Sequence, residues 1–249
     1  SYLREANEAT RRALRAAWIS LGELIKKAIC LREDIELGEI SVKARFEVDE
    51  WILYLADTLD NGAGYSSKYS QVAEFEALHD YIRERVMTDL IKDSHLECYT
   101  SCHLCLRSYQ NRLDHDRLTW RLAFDLFDLM SGGQQNSLDG HHWEHLIENY
   151  LPGRLGAVLQ TELVNEFHEG RLVYSALKKG HKFGFLPWHP FSIGSHTMIV
   201  FRSLLLEQGY TAVFVFSPHD FNISPMSEAQ RLLREWKPIL RNVDNSANS

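Results

Sequence analysis

The chain has 249 residues, of which 45% are hydrophobic and 24% are charged, as is typical of a globular protein with one or two domains. Its formal net charge of −7 argues against a free-standing nucleic-acid-binding protein, because such proteins usually carry a basic surplus that neutralises phosphates. The four cysteines are too few for a disulfide scaffold, and no apolar run is long enough to cross a membrane. We therefore expect a soluble, cytoplasmic protein without membrane contacts.

Apolar periodicity predicts alternating helices and strands in the first half of the chain. In chain order we expect a helix over 2–31, strands over 39–47 and 51–56, a glycine-containing loop over 57–65, a helix over 71–90, a cysteine-rich turn and a helix over 118–129. The run over 51–56 is almost continuously apolar, which is typical of an interior strand. The loop over 57–65 either relieves backbone strain between a strand and a helix or exposes N–H groups to an anion.

The second half begins after a Ser-, Gly-, Gln- and Asn-rich connector over 131–137, which is typical of a domain boundary. Beyond it we expect a helix over 141–150, strands over 171–177 and 181–186, a helix over 195–208, a buried strand over 211–216 and a helix over 224–236. The prediction is a mixed α/β fold with helices packed on a small sheet and a cysteine-rich knuckle in residues 1–130. A smaller α/β region occupies residues 131–249.

Three of the four cysteines are only a few residues apart. Cys98, Cys102 and Cys105 have the spacing C-x3-C-x2-C, which places three thiolates around one turn, and zinc closes such turns with tetrahedral coordination. Two other interpretations are reduced, buried thiols that act as small hydrophobic groups and a redox-active CxxC motif. The redox motif normally joins a strand to a helix, and the third cysteine has no role in it. The spacing therefore favours zinc.

A closed zinc site needs a fourth ligand. His115, ten residues after Cys105, could fold back over the turn and is the preferred candidate. His95, three residues before Cys98, is second, and Cys30 is a distant alternative. His103 lies between two of the cysteines and would have to point away from the ion that they share.

A basic and aromatic cluster follows the cysteines, with Arg107, Tyr109 and Arg112 as the candidate nucleic-acid-binding residues. Guanidinium groups and ring faces are suited to phosphate contacts and base stacking. The cluster continues with Arg117, Trp120 and Arg121. The alternative is that Trp120 is a core residue and that the arginines pair with nearby aspartates.

The second half offers weaker candidates for chemistry. His141 and His145 lie on one helical face, but the H-E-x-x-H order of metalloproteases is missing. His181 and Lys182 are adjacent, so in a strand they point to opposite faces and do not form a phospholipase-D-type pair. A metal-dependent nuclease could be assembled from four residues: Asp139, Glu162, Glu166 and Lys178.

The cysteine motif, the sequence RSYQN that follows it, His115 and the sequence LTWRLA together resemble the MrfA-like zinc-binding domain. This domain occurs at the C-terminal end of certain superfamily 2 DNA helicases and in anti-phage proteins of the DISARM and Druantia type. The loop over 57–65 is similar to the family's aspartate- and glycine-rich loop, and the resemblance covers residues 20–130. The family pattern implies a fourth cysteine, where this chain has Asn111.

The resemblance implies a zinc-binding module that supports nucleic-acid or partner binding in a helicase-related DNA-processing or anti-phage defence protein. The chain has no G-x-x-x-x-G-K-[ST] phosphate loop, so an ATP-dependent helicase motor would lie in a partner subunit or in another part of a longer polypeptide. We therefore expect a non-catalytic module with zinc as cofactor and a helicase motor, together with DNA, as partners. The alternative is a nuclease or other hydrolase with its active site in residues 140–240 and a scaffold zinc site.

Overall fold

The computed structural model describes residues 8–59, 62–133, 138 and 140–246. The chain divides into two compact units, residues 1–135 and residues 136–249, and this division falls within the predicted connector. Helices are combined with two small sheets, which confirms the mixed α/β class. Among the helices that the structure describes, none has the length and apolar character needed to span a bilayer.

The first unit combines helices with one hairpin. Its elements are α1 (Glu8–Glu33), β1 (Ile40–Glu47), β2 (Glu50–Asp57), α2 (Tyr65–Tyr69), α3 (Val72–Tyr81), α4 (Thr88–Leu90), α5 (Asp93–Leu96) and α6 (Trp120–Met130). A π-helical turn, Ile82–Met87, joins α3 to α4, and Arg112–Asp114 forms one 3-10 turn. The three long helices and the two strands predicted for this half are present, although residues 2–7 of the first helix lie outside the described residues.

Helix α1 is the element around which the first unit packs. Small residues such as Ala13, Ala17 and Ala28 are fully buried along it, and its main partners are α6 and the hairpin. At Gly22 a Cβ atom would lie 3.0 Å from Val42 Cγ1 of β1. The missing side chain therefore lets the hairpin approach the helix closely.

Strands β1 and β2 form a two-stranded antiparallel sheet in which Phe46 is opposite Trp51. The turn residues Val48 and Asp49 both have positive φ angles, 47° and 69°, as the two-residue turn of a tight hairpin requires. Our prediction of an interior strand at 51–56 is wrong, because β2 pairs with β1 only and Tyr54 on its outer face is 44% exposed. Apolar residues lie on both faces of β2, and for this reason the sequence over 51–56 is almost continuously apolar.

The loop after β2 ends in a side-chain cap on α2. Asp57 Oδ1 accepts hydrogen bonds from the backbone N–H groups of Tyr65 (3.1 Å) and Ser66 (3.4 Å), and Oδ2 accepts one from Ser66 Oγ (2.7 Å). Gly64 has a φ of 81°, which favours glycine. The Asp57 carboxylate accepts hydrogen bonds from the N–H groups that an external anion would need. The loop is therefore a strand-to-helix turn. Asp60 and Asn61 lie outside the described residues.

The second unit contains one four-stranded sheet with helices around it. Its elements are α7 (His141–His145), α8 (Leu151–Leu159), β3 (Val164–His168), β4 (Arg171–Lys178), β5 (His181–Pro187), α9 (His196–Glu207), β6 (Ala212–Phe216), α10 (Pro218–Ile223) and α11 (Pro225–Ser246). A π-helical turn, Leu146–Tyr150, joins α7 to α8, and Pro190–Ser192 forms a 3-10 turn.

The sheet has the strand order β3-β4-β5-β6, with antiparallel pairing except between β5 and β6, which are parallel. Its core is aromatic: Phe185 lies 5.3 Å from Phe214 and 5.4 Å from Trp236 between ring centroids. The predicted strands at 171–177, 181–186 and 211–216 are confirmed. Strand β3 and helices α8 and α10 were not predicted, and β3 gave little signal because it is short and carries three polar residues in five.

Candidate metal centre

The cysteines lie in an irregular segment between α5 and α6. His95 is in α5, and the Cys98 N–H donates to the His95 carbonyl over 2.9 Å, so the first two residues of the site are one turn apart. Cys102 and Cys105 lie in a tight turn, in which the N–H groups of Cys105 (3.2 Å) and Arg107 (2.9 Å) donate to the Cys102 carbonyl. Local backbone hydrogen bonds therefore bring all four side chains to one side of the segment.

The four side chains meet in one group. Cys98 Sγ lies 3.9 Å from Cys105 Sγ, and Cys102 Sγ lies 3.5 Å from His95 Nε2. The ligand atoms of His95, Cys98, Cys102 and Cys105 all lie within 4.8 Å of one another. An arrangement of one imidazole and three thiols at these distances could hold a metal ion.

A backbone carbonyl orients the His95 ring. Its Nδ1 lies 3.0 Å from the Leu90 carbonyl, which can only accept, so Nδ1 carries a proton and Nε2 is the ring atom that faces the sulfur atoms. The side chain is buried, and its ring lies 5.1 Å from that of Trp120 between centroids. The neighbouring residues thus fix the orientation of the ring.

Across the described parts of the chain, this is the one group of three or more His, Cys, Asp or Glu residues arranged to hold a metal ion. No family model, curated protein or solved structure matches the chain. The assignment of the site therefore depends on its own residues and their contacts.

The thiols influence each other's protonation. A hydrogen bond from Cys98 is the largest cause that lowers the pKa of Cys105 to about 4, and bonds from His95 and the Cys102 N–H act in the same direction against the effect of burial. The same contact with Cys105, together with burial, raises the pKa of Cys98 far above its ordinary value. One thiolate is thus stabilised among the three sulfur atoms, and a cation would favour the loss of the remaining protons.

Helix α6 fixes the backbone of the segment from one side. The Arg121 guanidinium donates to the carbonyls of Cys98 (2.7 Å), Tyr99 (3.3 Å) and Leu96 (2.9 Å), and Trp120 Nε1 donates to the Cys98 carbonyl (2.7 Å). Both side chains are fully buried. Burial lowers the pKa of Arg121 to about 10, so the guanidinium remains charged at neutral pH.

Helix α1 contacts the segment through Lys27. Its ammonium donates to the Cys105 carbonyl over 2.9 Å and also to the Leu104 carbonyl. Burial lowers the pKa of Lys27, while the nearby Cys105 and Cys102 thiolates favour its charged form. The turn with the last two cysteines therefore has a cation beside it that compensates negative charge on sulfur.

The structure places His95, and not the preferred candidate His115, beside the three cysteines. His115 Nε2 lies 3.0 Å from the Ser108 carbonyl and 3.0 Å from Asn111 Oδ1, outside the group formed with the cysteines. Buried Asn111, where the resemblance implies a fourth cysteine, also accepts from the Ser108 N–H (2.8 Å) and donates to the Leu106 carbonyl (2.7 Å). The stretch after Cys105 therefore folds around an amide instead of returning to the metal group.

The remaining ligand candidates are elsewhere. Cys30 Sγ donates to the Glu36 carbonyl over 3.6 Å, and burial raises the pKa of this thiol. His103 is exposed, as expected for a residue between two ligands. Irregular segments precede and follow the CxxC pair. A redox-active CxxC motif normally lies between a strand and a helix, so the setting here is different.

The three predicted nucleic-acid-binding residues lie on the outer side of the cysteine segment. Tyr109 is 77% exposed, and the Arg112 guanidinium lies 4.6 Å from the centre of its ring. Arg107 Nε donates to Ser101 Oγ over 2.9 Å. Arg117 forms a surface ion pair with Asp114 at 3.2 Å, as the alternative interpretation expected for the arginines. Tyr109 and Arg112 are thus accessible, whereas Arg107 also contributes to the fold of the segment.

The nuclease candidates of the second unit are held in ordinary contacts. Glu166 accepts hydrogen bonds from Lys182 (2.5 Å), Ser175 (2.7 Å) and Tyr210 (2.7 Å), and Lys178 lies 5.3 Å from the Trp236 ring. As predicted, the neighbours His181 and Lys182 face different partners, since His181 Nδ1 contacts Thr211 Oγ1 at 3.3 Å. Asp139 lies outside the described residues.

Proposed function

We propose that the group of His95, Cys98, Cys102 and Cys105 binds one Zn²⁺ ion. Zn–S bonds of about 2.3 Å and Zn–N bonds of about 2.0–2.1 Å at tetrahedral angles require S···S separations of about 3.8 Å and S···N separations of about 3.6 Å. The distances of 3.9 Å between Cys98 and Cys105 and 3.5 Å between Cys102 and His95 agree with these values. This agreement is the observation that carries the proposal.

The proposed role of the ion is structural. Four protein ligands fill a tetrahedral shell, which leaves no position for a catalytic water molecule. Three thiolates and a neutral imidazole give the occupied site a net charge of about −1, and the ammonium of Lys27 is well placed to balance it. We therefore propose a non-catalytic module in which zinc holds the segment between α5 and α6.

The zinc assignment is tested by metal content and by cobalt substitution. The purified wild-type protein should contain one zinc per chain, and its cobalt form should show thiolate-to-metal absorption with tetrahedral d–d bands. His95→Ala should lose metal affinity and change the d–d bands, whereas the matched variant His115→Ala should keep both. No stoichiometric zinc in the wild type, or equal effects of the two variants, would refute the assignment.

We further propose that the module serves a helicase-related DNA-processing or anti-phage assembly, with Tyr109 and Arg112 in contact with single-stranded DNA. The resemblance of residues 20–130 to the MrfA-like domain supports this role, and so does the exposed pair of a ring and a guanidinium beside the zinc segment. Arg107 is a third candidate contact, although its bond to Ser101 gives it a structural role as well.

Fluorescence anisotropy with labelled oligo(dT) tests this interaction. Tyr109→Ser should weaken binding, and Arg112→Glu should also reduce the slope of log K against log salt by about 0.7 for each phosphate that the protein no longer neutralises. Arg154→Glu, an exposed change in the second unit, is the matched control. Unchanged affinity and salt slope in both test variants would remove nucleic acid from the proposal. Binding of a purified helicase motor by zinc-loaded protein, with no DNA affinity, would then favour a protein-interaction module.

A further inference from the structure

A cavity of about 370 Å³ opens in the second unit beside the turn between β3 and β4. Its volume is within the range of small-molecule sites. The lining residues that matter for its chemistry are Glu144, Glu148, Phe167, Arg171, Leu172 and Trp188.

Arg171 brings an uncompensated positive charge to this cavity. Its guanidinium lies 4.7 Å from the centre of the Trp188 ring and 5.9 Å from that of Phe201, so it is held against an aromatic surface. Among the described residues, the side chain of Arg171 contacts these two rings and has no ion pair or hydrogen bond. A guanidinium has five N–H donors, and here they remain available to a bound molecule.

Trp188 supplies the surface on which Arg171 is held. The residue is 4% exposed, and its indole Nε1 is buried without a hydrogen-bond partner among the described residues. Because that N–H is shielded from a water-sized molecule, it does not contact a ligand in the cavity. The Arg171 guanidinium is therefore the donor group that would pair with a carboxylate.

The opposite charge comes from the helical segment that carries Glu144 and Glu148. These residues are four apart, so they lie on the same side of the helix, and both line the cavity. Glu144 lies 2.9 Å from His141 Nδ1, and among the described residues neither carboxylate forms an ion pair with Arg171. Two carboxylates in the wall also disfavour a phosphate, which would carry about two negative charges into the same space.

We propose that this cavity binds a free α-amino acid with an apolar side chain. The carboxylate of the ligand would accept from Arg171, and its ammonium would donate to Glu148. The side chain would pack on Leu172 and on Phe167, whose ring is 61% exposed. This site lies in the second unit and does not depend on the zinc assignment.

Isothermal titration calorimetry with L-phenylalanine tests the proposal on the full chain. N-acetyl-L-phenylalanine removes the ammonium charge and L-phenylalaninamide removes the carboxylate, so each should bind at least about tenfold more weakly if both charges are recognised. Guanosine 5′-monophosphate, a planar phosphate-bearing probe, should not bind. Absence of L-phenylalanine binding at about 10 mM, roughly 100 times a Kd of 0.1 mM, or preferred binding of the nucleotide, would overturn the proposal.

Two variants locate the binding. Arg171→Gln and Glu148→Gln should each weaken L-phenylalanine binding about tenfold or more, since each removes a charged partner of the ligand. Arg154→Gln removes a cation on the same unit that lies outside the cavity and should leave binding unchanged. Should Arg171→Gln fail to fold, Glu148→Gln together with the amide and acetyl probes still decides the outcome. Binding that is insensitive to both variants would place the ligand elsewhere.

Discussion

Replacement of Arg121 by methionine would remove the main support of the metal-binding segment while keeping an apolar side chain of similar length. The wild-type guanidinium donates to the carbonyls of Leu96, Cys98 and Tyr99. The Cys98 carbonyl retains its bond from Trp120 Nε1, so two carbonyls lose the bond from Arg121. At about 1–3 kcal/mol for each, and because the buried Asp125 carboxylate would lose a nearby positive charge, we expect a loss of about 3 kcal/mol of stability.

Urea denaturation and calorimetry measure this loss, which corresponds to a decrease in Tm of about 6–12 °C for a chain of this size. Arg117→Met is the matched control, because its ion pair with Asp114 is on the surface and should contribute at most about 1 kcal/mol. Zinc affinity, measured by competition with a chromophoric chelator, should fall about 10- to 100-fold in Arg121→Met, as for residues that support metal ligands. If Arg121→Met matches the control in both stability and zinc affinity, the supporting role is refuted.

Three further predictions concern other parts of the chain. A strong chelator should make residues 95–120 the first site of limited proteolysis, because metal binding supplies folding free energy there, and an unchanged cleavage pattern would contradict a structural ion. Burial alone would raise the pKa of Glu166, but hydrogen bonds from Lys182 and three other donors lower this pKa to about 2. The stability that the Glu166 carboxylate contributes is therefore present above its ordinary pKa and is lost as the pH falls towards 2. Acid titration of unfolding should therefore be less steep in Glu166→Gln. Gly184→Ala should destabilise the second unit by about 1–3 kcal/mol in urea, since the added Cβ would lie 3.0 Å from the Tyr210 ring, and a neutral effect would show that the ring can move.

The three cysteines of the candidate metal centre could be predicted from the sequence because the information is local. A C-x3-C-x2-C spacing restricts the sulfur atoms to one turn whatever the surrounding fold. The fourth ligand was harder, since His95 and His115 are both near in sequence. The separation of three residues between His95 and Cys98 was the available signal, because one helical turn places such residues on the same side. The hydrogen bond that fixes His95, to the Leu90 carbonyl, depends on how the helix ends and is not visible in the pattern.

The roles of Trp120 and Arg121 could not be derived from residue types. Arginine is rarely fully buried, so a sequence with several arginines and aromatic rings favours a surface that binds nucleic acid. In the structure Arg121 is fully buried because the irregular segment presents carbonyl groups that no helix or strand satisfies. That demand arises only when the chain is folded, so the sequence pattern left nucleic-acid contact and a core position for Trp120 as open alternatives, of which the structure shows the second for Trp120.

The hairpin shows a second limit of sequence patterns. Val48 and Asp49 adopt positive φ angles without the Asn-Gly or Gly residues that normally mark such a turn, so the pairing of β1 with β2 had no local signal. Trp51 contacts Trp18 of α1 on one face of β2, while apolar residues on the other face remain partly exposed. A half-covered two-stranded sheet therefore produces the same apolar run as a strand inside a larger sheet.

The metal ligands and their supports act on different atoms of the same segment. The proposed ion would join four side chains, whereas Arg121, Trp120 and Lys27 bind backbone carbonyls on either side of them. Neither set alone fixes the conformation of the segment. Hydrogen bonds to the carbonyls do not hold the sulfur atoms together against their mutual repulsion as thiolates. An ion, in turn, does not orient the backbone against α1 and α6. The exposed Tyr109 and Arg112 follow this segment directly, so the rigidity of their surface depends on both sets.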